Sequence, residues 1–224
     1  GELDNTILKD QLNLMRVGEP MYVFYGYVED GYDENGHIVY KNMDDDPAIT
    51  AADKTIIGDP NPDFLVNLTT AVSYKGFTLS AFFQSSIGND IYSLSMAAQA
   101  YDYGYNGNTL REVYYNHWSP ENPTAKYPNL DQTSYKMSDR FVYDGSFVRL
   151  KNLELAYDVP CARSKFIKRA RAYVSAQNLF TITSYPFWDP DINANGGGSS
   201  MIQGVDSYCY PSARTYTIGC PLTF

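Results

Sequence analysis

The chain has 224 residues, 44% of them hydrophobic and 15% aromatic, including 21 tyrosines. That composition supplies a sizeable core and excludes a disordered tail. The formal net charge of −9 excludes the basic surface of a nucleic-acid or anionic-membrane binder, so no nucleic-acid partner is expected.

No run of about 18 apolar residues marks a transmembrane helix, but the alternating strands of a β-barrel would escape that test. Cys161, Cys209 and Cys220 show no CxxC pair and no metal spacing, and are read as free or structural. His37 and His117 are the only histidines, and they build neither a catalytic triad nor a metal site.

Residues 1–62 read as an irregular loop region. Within it, "EDGYDENGHIVY" (29–40) suggests a small hairpin around Asn35-Gly36. "NMDDDPAITAADK" (42–54) gathers Asp44, Asp45, Asp46 and Asp53. Hard oxygen ligands of this kind hold calcium, which makes Asp44 and Asp46 a weak Ca²⁺ candidate. The glycine and glutamate of a calcium loop are missing, so a solvated acidic loop is the simpler reading, and no other cofactor is expected. "GDPNPDF" (58–64) then stops the chain from pairing.

Residues 63–88 carry the strongest hairpin signal. Phe64, Val66, Leu68, Val72 and Tyr74 share one face, and Asn67, Thr69 and Ser73 the other. After Lys75-Gly76 the pattern resumes with Phe77, Leu79, Ala81 and Phe83. Each strand has about ten residues, enough to cross a bilayer when tilted. Residues 89–140 form a long loop, with short helices expected in "LSMAAQAYDY" and "TLREVYYNHW".

Residues 141–183 hold two strands. On the first, Leu153, Leu155 and Tyr157 share a face, while Arg149 and Lys151 break the pattern. A bulge that resets the phase would place both charges on the polar side. Residues 184–211 form another long loop. The closing strand, 212–224, alternates Tyr216, Ile218, Cys220, Leu222 and Phe224 with small, mostly polar residues. If successive strands are antiparallel, the short connections fall at one end and the long ones at the other. That is the asymmetry of outer-membrane barrels.

Five stretches now fit one family in order: "GEPMYVFYGYVEDG" with "DKTIIGDPNPDF", "SYKGFTLSAFFQSSIGNDIY", "SDRFVYDGSFVRLKNLELAYDVP", "RAYVSAQNLFTITSY" with its following "DPD", and "YPSARTYTIGCPLTF". The chain resembles the C-terminal part of SusC-like (RagA-like) TonB-dependent outer-membrane transporters of Bacteroidetes. The resemblance implies an all-β fold: the last strands of an antiparallel transmembrane barrel of about 22 strands, with long extracellular loops. A plug that contacts TonB should precede it. The implied localisation is the outer membrane, and the implied role is uptake of oligosaccharides or oligopeptides with a SusD-like lipoprotein, without enzymatic activity.

In that family the terminal aromatic strand is the signal read by the barrel-assembly machinery, which falls here on Tyr216, Ile218, Leu222 and Phe224. The family's glycine-tyrosine before an Asp-Pro-acid triplet is replaced by Phe187-Trp188. Loop aromatics are the candidate contacts for cargo or partner: Tyr103, Tyr105, Trp118, Phe187, Trp188 and Tyr208. Asp189 and Asp191 have the residue types of a glycosidase acid/base pair, but Asp-Pro-Asp also suits a turn. The alternative from the alternation alone is a soluble secreted β-sandwich that binds glycans.

Overall fold

Alternating residues become strands along most of the chain. The computed structural model describes residues 6–7, 12–101, 108–132, 134–161, 166–192 and 202–224. Short strands come first: β1 (Thr6–Ile7), β2 (Asn13–Met15), β3 (Val23–Gly26), β4 (Glu29–Tyr32), β5 (Ile38–Tyr40) and β6 (Thr55–Gly58). The hairpin β7 (Phe64–Tyr74) and β8 (Phe77–Ile87) follows, then β9 (Asp90–Ser93), α1 (Leu94–Tyr101), α2 (Arg111–Tyr115) and β10 (Val142–Asp144). The last elements are β11 (Phe147–Val159), β12 (Arg169–Thr183), β13 (Val205–Asp206), β14 (Thr215–Gly219) and β15 (Leu222–Thr223). All pairings within the sheets are antiparallel except β13 along β9.

These elements gather into two units, one of residues 1–61, 89–144 and 192–209, the other of residues 62–88, 145–191 and 210–224. The three long connections therefore pack on one another. Their region 1–62, expected to be irregular apart from a small hairpin at 29–40, holds that hairpin as β4-β5 and, beyond the expectation, a sheet in the order β1-β2-β3-β6. Sequence patterning missed these strands because each is two to four residues long and β3 pairs with β6 across some thirty residues.

The first unit owes its core to the tyrosine load. Phe24, Tyr92 and Phe141 stack in series with ring centroids 5.8 and 6.0 Å apart, and all three are buried. Tyr27, Tyr40, Tyr127, Val113 and Val205 complete the cluster, with Ala97 and Ala100 from one face of α1. Buried tyrosines need partners for their hydroxyls. The Tyr40 hydroxyl accepts the Lys136 backbone N–H at 2.8 Å, and the Tyr32 hydroxyl donates to the Lys126 carbonyl at 3.0 Å. Arg140 grips both carboxylate oxygens of Glu29 and donates to the Lys126 carbonyl at 2.7 Å, latching the β4-β5 hairpin to the segment before β10.

The second unit is one sheet in the order β7-β8-β11-β12-β14, with β15 also on β12. Lys75 and Gly76 both have positive φ, 47° and 85°, as a two-residue turn matched to the twist of its strands requires. The register runs from Tyr74↔Phe77 to Phe64↔Ile87 without a slip. On β11 the register shifts between Leu150 and Asn152 against both neighbours, so Lys151 is the extra residue of a bulge. β12 carries its own irregularity at Asn178, whose φ is 51°. The closing strand, expected to be continuous, is broken into β14 and β15 at Cys220-Pro221. Proline has no N–H to give to the ladder, although the Pro221 carbonyl still accepts the Arg171 N–H at 3.1 Å.

Candidate functional site

Register decides which side chains share a face of the second unit. Leu68 opposes Phe83, Val72 opposes Leu79, and Leu79 opposes Leu155 on β11. Leu155 opposes Val174, which in turn opposes Ile218 on β14. The bulge at Lys151 keeps the phase, so Leu150, Phe180 and Ile182 join the same face. The result is one apolar surface across every strand. Most of it is open: Val66, Leu68, Val72, Leu79, Leu155, Val174 and Ile182 are all exposed, while Leu150 is buried. Water would not tolerate so continuous a patch, whereas lipid or a partner surface would.

The opposite face is mostly polar, with Leu65, Phe82 and Phe147 among its residues. It carries Asn67, Thr69, Ser73, Thr78, Ser80, Gln84, Glu154 and Ser175. Arg171 pairs with Glu154 at 3.0 Å, and Arg169 approaches Asp158 at 3.5 Å. Polar and charged side chains thus lie on one side of a sheet whose other side is apolar, the alternation of a barrel wall between lumen and lipid.

Arg149 organises one end of this polar face. It is 1% exposed, so its charge must be matched. It pairs with Asp189, lies 3.3 Å from an Asp191 oxygen, and donates to the Thr181 and Ser212 hydroxyls at 2.9 and 3.1 Å. Lys151 reaches Asp191 at 3.7 Å. Asp189 also accepts the backbone N–H groups of Asp191 and Ser212 at 2.9 and 2.8 Å. Burial pushes the Asp189 carboxyl up, but these N–H groups and the Arg149 guanidinium outweigh it and hold the carboxyl below its usual range. The network ties the chain after β12 and the chain before β14 to β11. Beside it lies a cavity of about 520 Å³ lined by Arg149, Asn178, Thr181, Trp188, Asp189 and Arg214, among others.

The residues singled out from the sequence are spread over both units. Tyr103 and Tyr105 lie outside the described residues. Trp118 is half-buried in the first unit, its ring seated on Gly36: a Cβ there would meet the indole at 2.2 Å, and its φ of 80° also suits glycine. Tyr208 is 53% exposed, with its backbone N–H bonded to the Ser95 hydroxyl at 2.6 Å. Phe187 and Trp188 stack on each other at 4.9 Å and line the second unit's polar end, with Trp188 exposed. Tyr216, Ile218, Leu222 and Phe224 are all exposed on or beyond the apolar face.

Asp44 and Asp46 spend carboxylate oxygens on backbone N–H groups of Asp46 and Ala48, at 2.9 and 3.0 Å, in a chain of local turns. Among the described residues no three acidic, histidine or cysteine side chains converge. Asp189 and Asp191 are engaged with Arg149 and Lys151, as a structural knot. Sequence reasoning placed Arg149 and the Asp-Pro-Asp triplet on the page without joining them, because forty residues separate the partners.

No family model matches the chain. It is 33% identical to TonB-dependent receptor P3 of Formosa agariphila, over 97% of this chain and 23% of that protein. It is 30% identical to TonB-dependent receptor SusC of Bacteroides thetaiotaomicron, over 93% of this chain and 20% of that protein. Among solved structures it is similar to the RagAB peptide importer in its open-open state, with a TM-score of 0.80 at 25% identity over 99% of this chain and 24% of that one. The closed-closed state of the same importer gives a TM-score of 0.82 at 25% identity. The chain thus spans between a fifth and a quarter of the relatives it matches, which are receptors and importers rather than enzymes.

Proposed function

Because this chain is a segment of the SusC/RagA-like TonB-dependent transporter family, we propose that it forms part of the wall and outer loops of an outer-membrane importer. The observation that carries this reading is the unbroken apolar face from β7 to β14, opposed by a polar one. A sandwich would cover such a face with a second sheet, and the described residues of this unit form one. We place the apolar face against lipid and the polar face toward the lumen, with the first unit built from the outer loops.

The likeness to a peptide importer supports a reading of the cargo class. RagAB is described as a peptide importer. We extend that to oligopeptides or oligosaccharides, captured with a SusD-like lipoprotein and driven through a plug that TonB contacts. Trp118, Phe187, Trp188 and Tyr208, together with Tyr103 and Tyr105, are the aromatics we assign to cargo or partner contact. Tyr216, Ile218, Leu222 and Phe224 form the strand we assign to recognition by the barrel-assembly machinery. Calcium at Asp44 and Asp46 would compete with the backbone N–H groups that those carboxylates already accept.

The test is deletion of the full-length gene in its host, followed by growth on single oligosaccharides and oligopeptides. Deletion should abolish uptake of at least one cargo, the wild-type gene should restore it, and inactivating TonB should abolish it again. Normal uptake of every cargo in the deletion strain would contradict it.

A further inference from the structure

The cavity beside Arg149 has a charge left over. Arg149 is spent on Asp189 and Asp191. Arg214, on the same cavity, is exposed and makes no ion pair or hydrogen bond among the described residues. In a chain of net charge −9, a guanidinium with no partner among the described residues stands out on a concave polar surface.

Its surroundings are fixed. The Asn178 side-chain amide donates to the Ala213 carbonyl at 2.9 Å, and the Ser212 N–H donates to Asp189 at 2.8 Å. The two residues before Arg214 are therefore held in place. Asn178 has a left-handed backbone and a buried Oδ1 with no hydrogen-bond partner among the described residues. Trp188, 56% exposed and stacked on Phe187, sets a flat ring on the same cavity.

We propose that this cavity is a subsite for a carboxylate-bearing ligand, with Arg214 gripping the carboxylate and Trp188 supporting the attached ring or chain. A guanidinium presents two parallel N–H donors that match a carboxylate. One unspent positive charge suits one singly charged group. Both acidic oligosaccharides and acidic peptides offer that group. The proposal rests on the transport reading above and narrows its cargo.

The experiment uses the purified full-length protein in detergent. Calorimetry measures binding of trigalacturonate against its methyl ester, and of triglutamate against triglutamine. At least one acid should bind about tenfold or more tightly than its neutral counterpart. Arg214→Ala should erase that preference, while Arg214→Lys should restore part of it. Which acid shows the preference identifies the source. Heat-modifiable gel migration checks that each variant is a folded barrel. Equal binding of acid and neutral forms, or a preference that survives Arg214→Ala, overturns the proposal. Uptake is scored separately in the deletion strain, so failure of transport and failure of the subsite give different results.

Discussion

Arg149 is the residue on which most local order converges. Removing one partner of a buried ion pair leaves the other charge uncompensated, at about 3–5 kcal/mol. Arg149→Ala in the full-length protein should therefore lower the thermal midpoint strongly. Arg149→Met with Asp189→Asn together should cost much less, because neither leaves a buried charge alone. Asp189 also makes a pH prediction. Its carboxyl is held below its ordinary 3.8, so the native state favours the ionised form. The stabilisation is fully present above the unfolded-state value and is lost as pH falls through the lower, native one. Melting temperature should hold steady from neutral pH down to about 5 and fall below about 4, and Asp189→Asn should flatten that acid limb. A limb of equal slope in both proteins would contradict the assignment.

At the scale of elements, the turn between β7 and β8 offers the cleanest test. Gly76 has a φ of 85°, and a Cβ there would sit 3.2 Å from the Tyr157 ring. Gly76→Ala should cost about 1 kcal/mol or more, since an L side chain is strained at that φ and the ring must give way. Lys75→Asn, at φ 47°, should be neutral or mildly stabilising. Chemical-denaturant midpoints of the two variants would check both signs. This hairpin, with β11 and β12, was legible in the sequence because strict alternation over ten or more residues has no helical reading. A bulge in β11 was legible too, since Arg149 and Lys151 on a lipid face would be costly; its place at Lys151 itself, rather than further along the strand, was not. The break at Pro221 was not drawn, although the missing N–H was in plain view. The pairing of β3 with β6 was illegible for a different reason: short strands joined across a long loop leave no periodicity to read.

At the scale of the whole molecule, the wall was legible in the sequence and the packing of the loops was not. Alternation is a local signal, and the five longest segments that carry it all fall in the second unit. The first unit is held by contacts between segments far apart in the chain, such as Phe24 with Tyr92 and Glu29 with Arg140. Composition hinted at it only through the tyrosines, which turn out to supply much of its buried core alongside others left exposed. The Arg149 network shows the same limit within the second unit, since its members lie on β11, β12 and two later loops.

The central claim is that one face of the sheet meets lipid and the other does not. The direct measurement is a cysteine scan of residues 65–73 on β7 in the full-length protein, with Cys161, Cys209 and Cys220 replaced by serine. Each single cysteine carries a fluorophore, and quenching is read from a lipid-phase nitroxide and from an aqueous one in reconstituted vesicles. Lipid quenching should peak at Val66, Leu68 and Val72 and drop at Asn67, Thr69 and Ser73, with the aqueous quencher giving the inverse. Aqueous quenching at all six positions, or a pattern of opposite phase, would contradict the account.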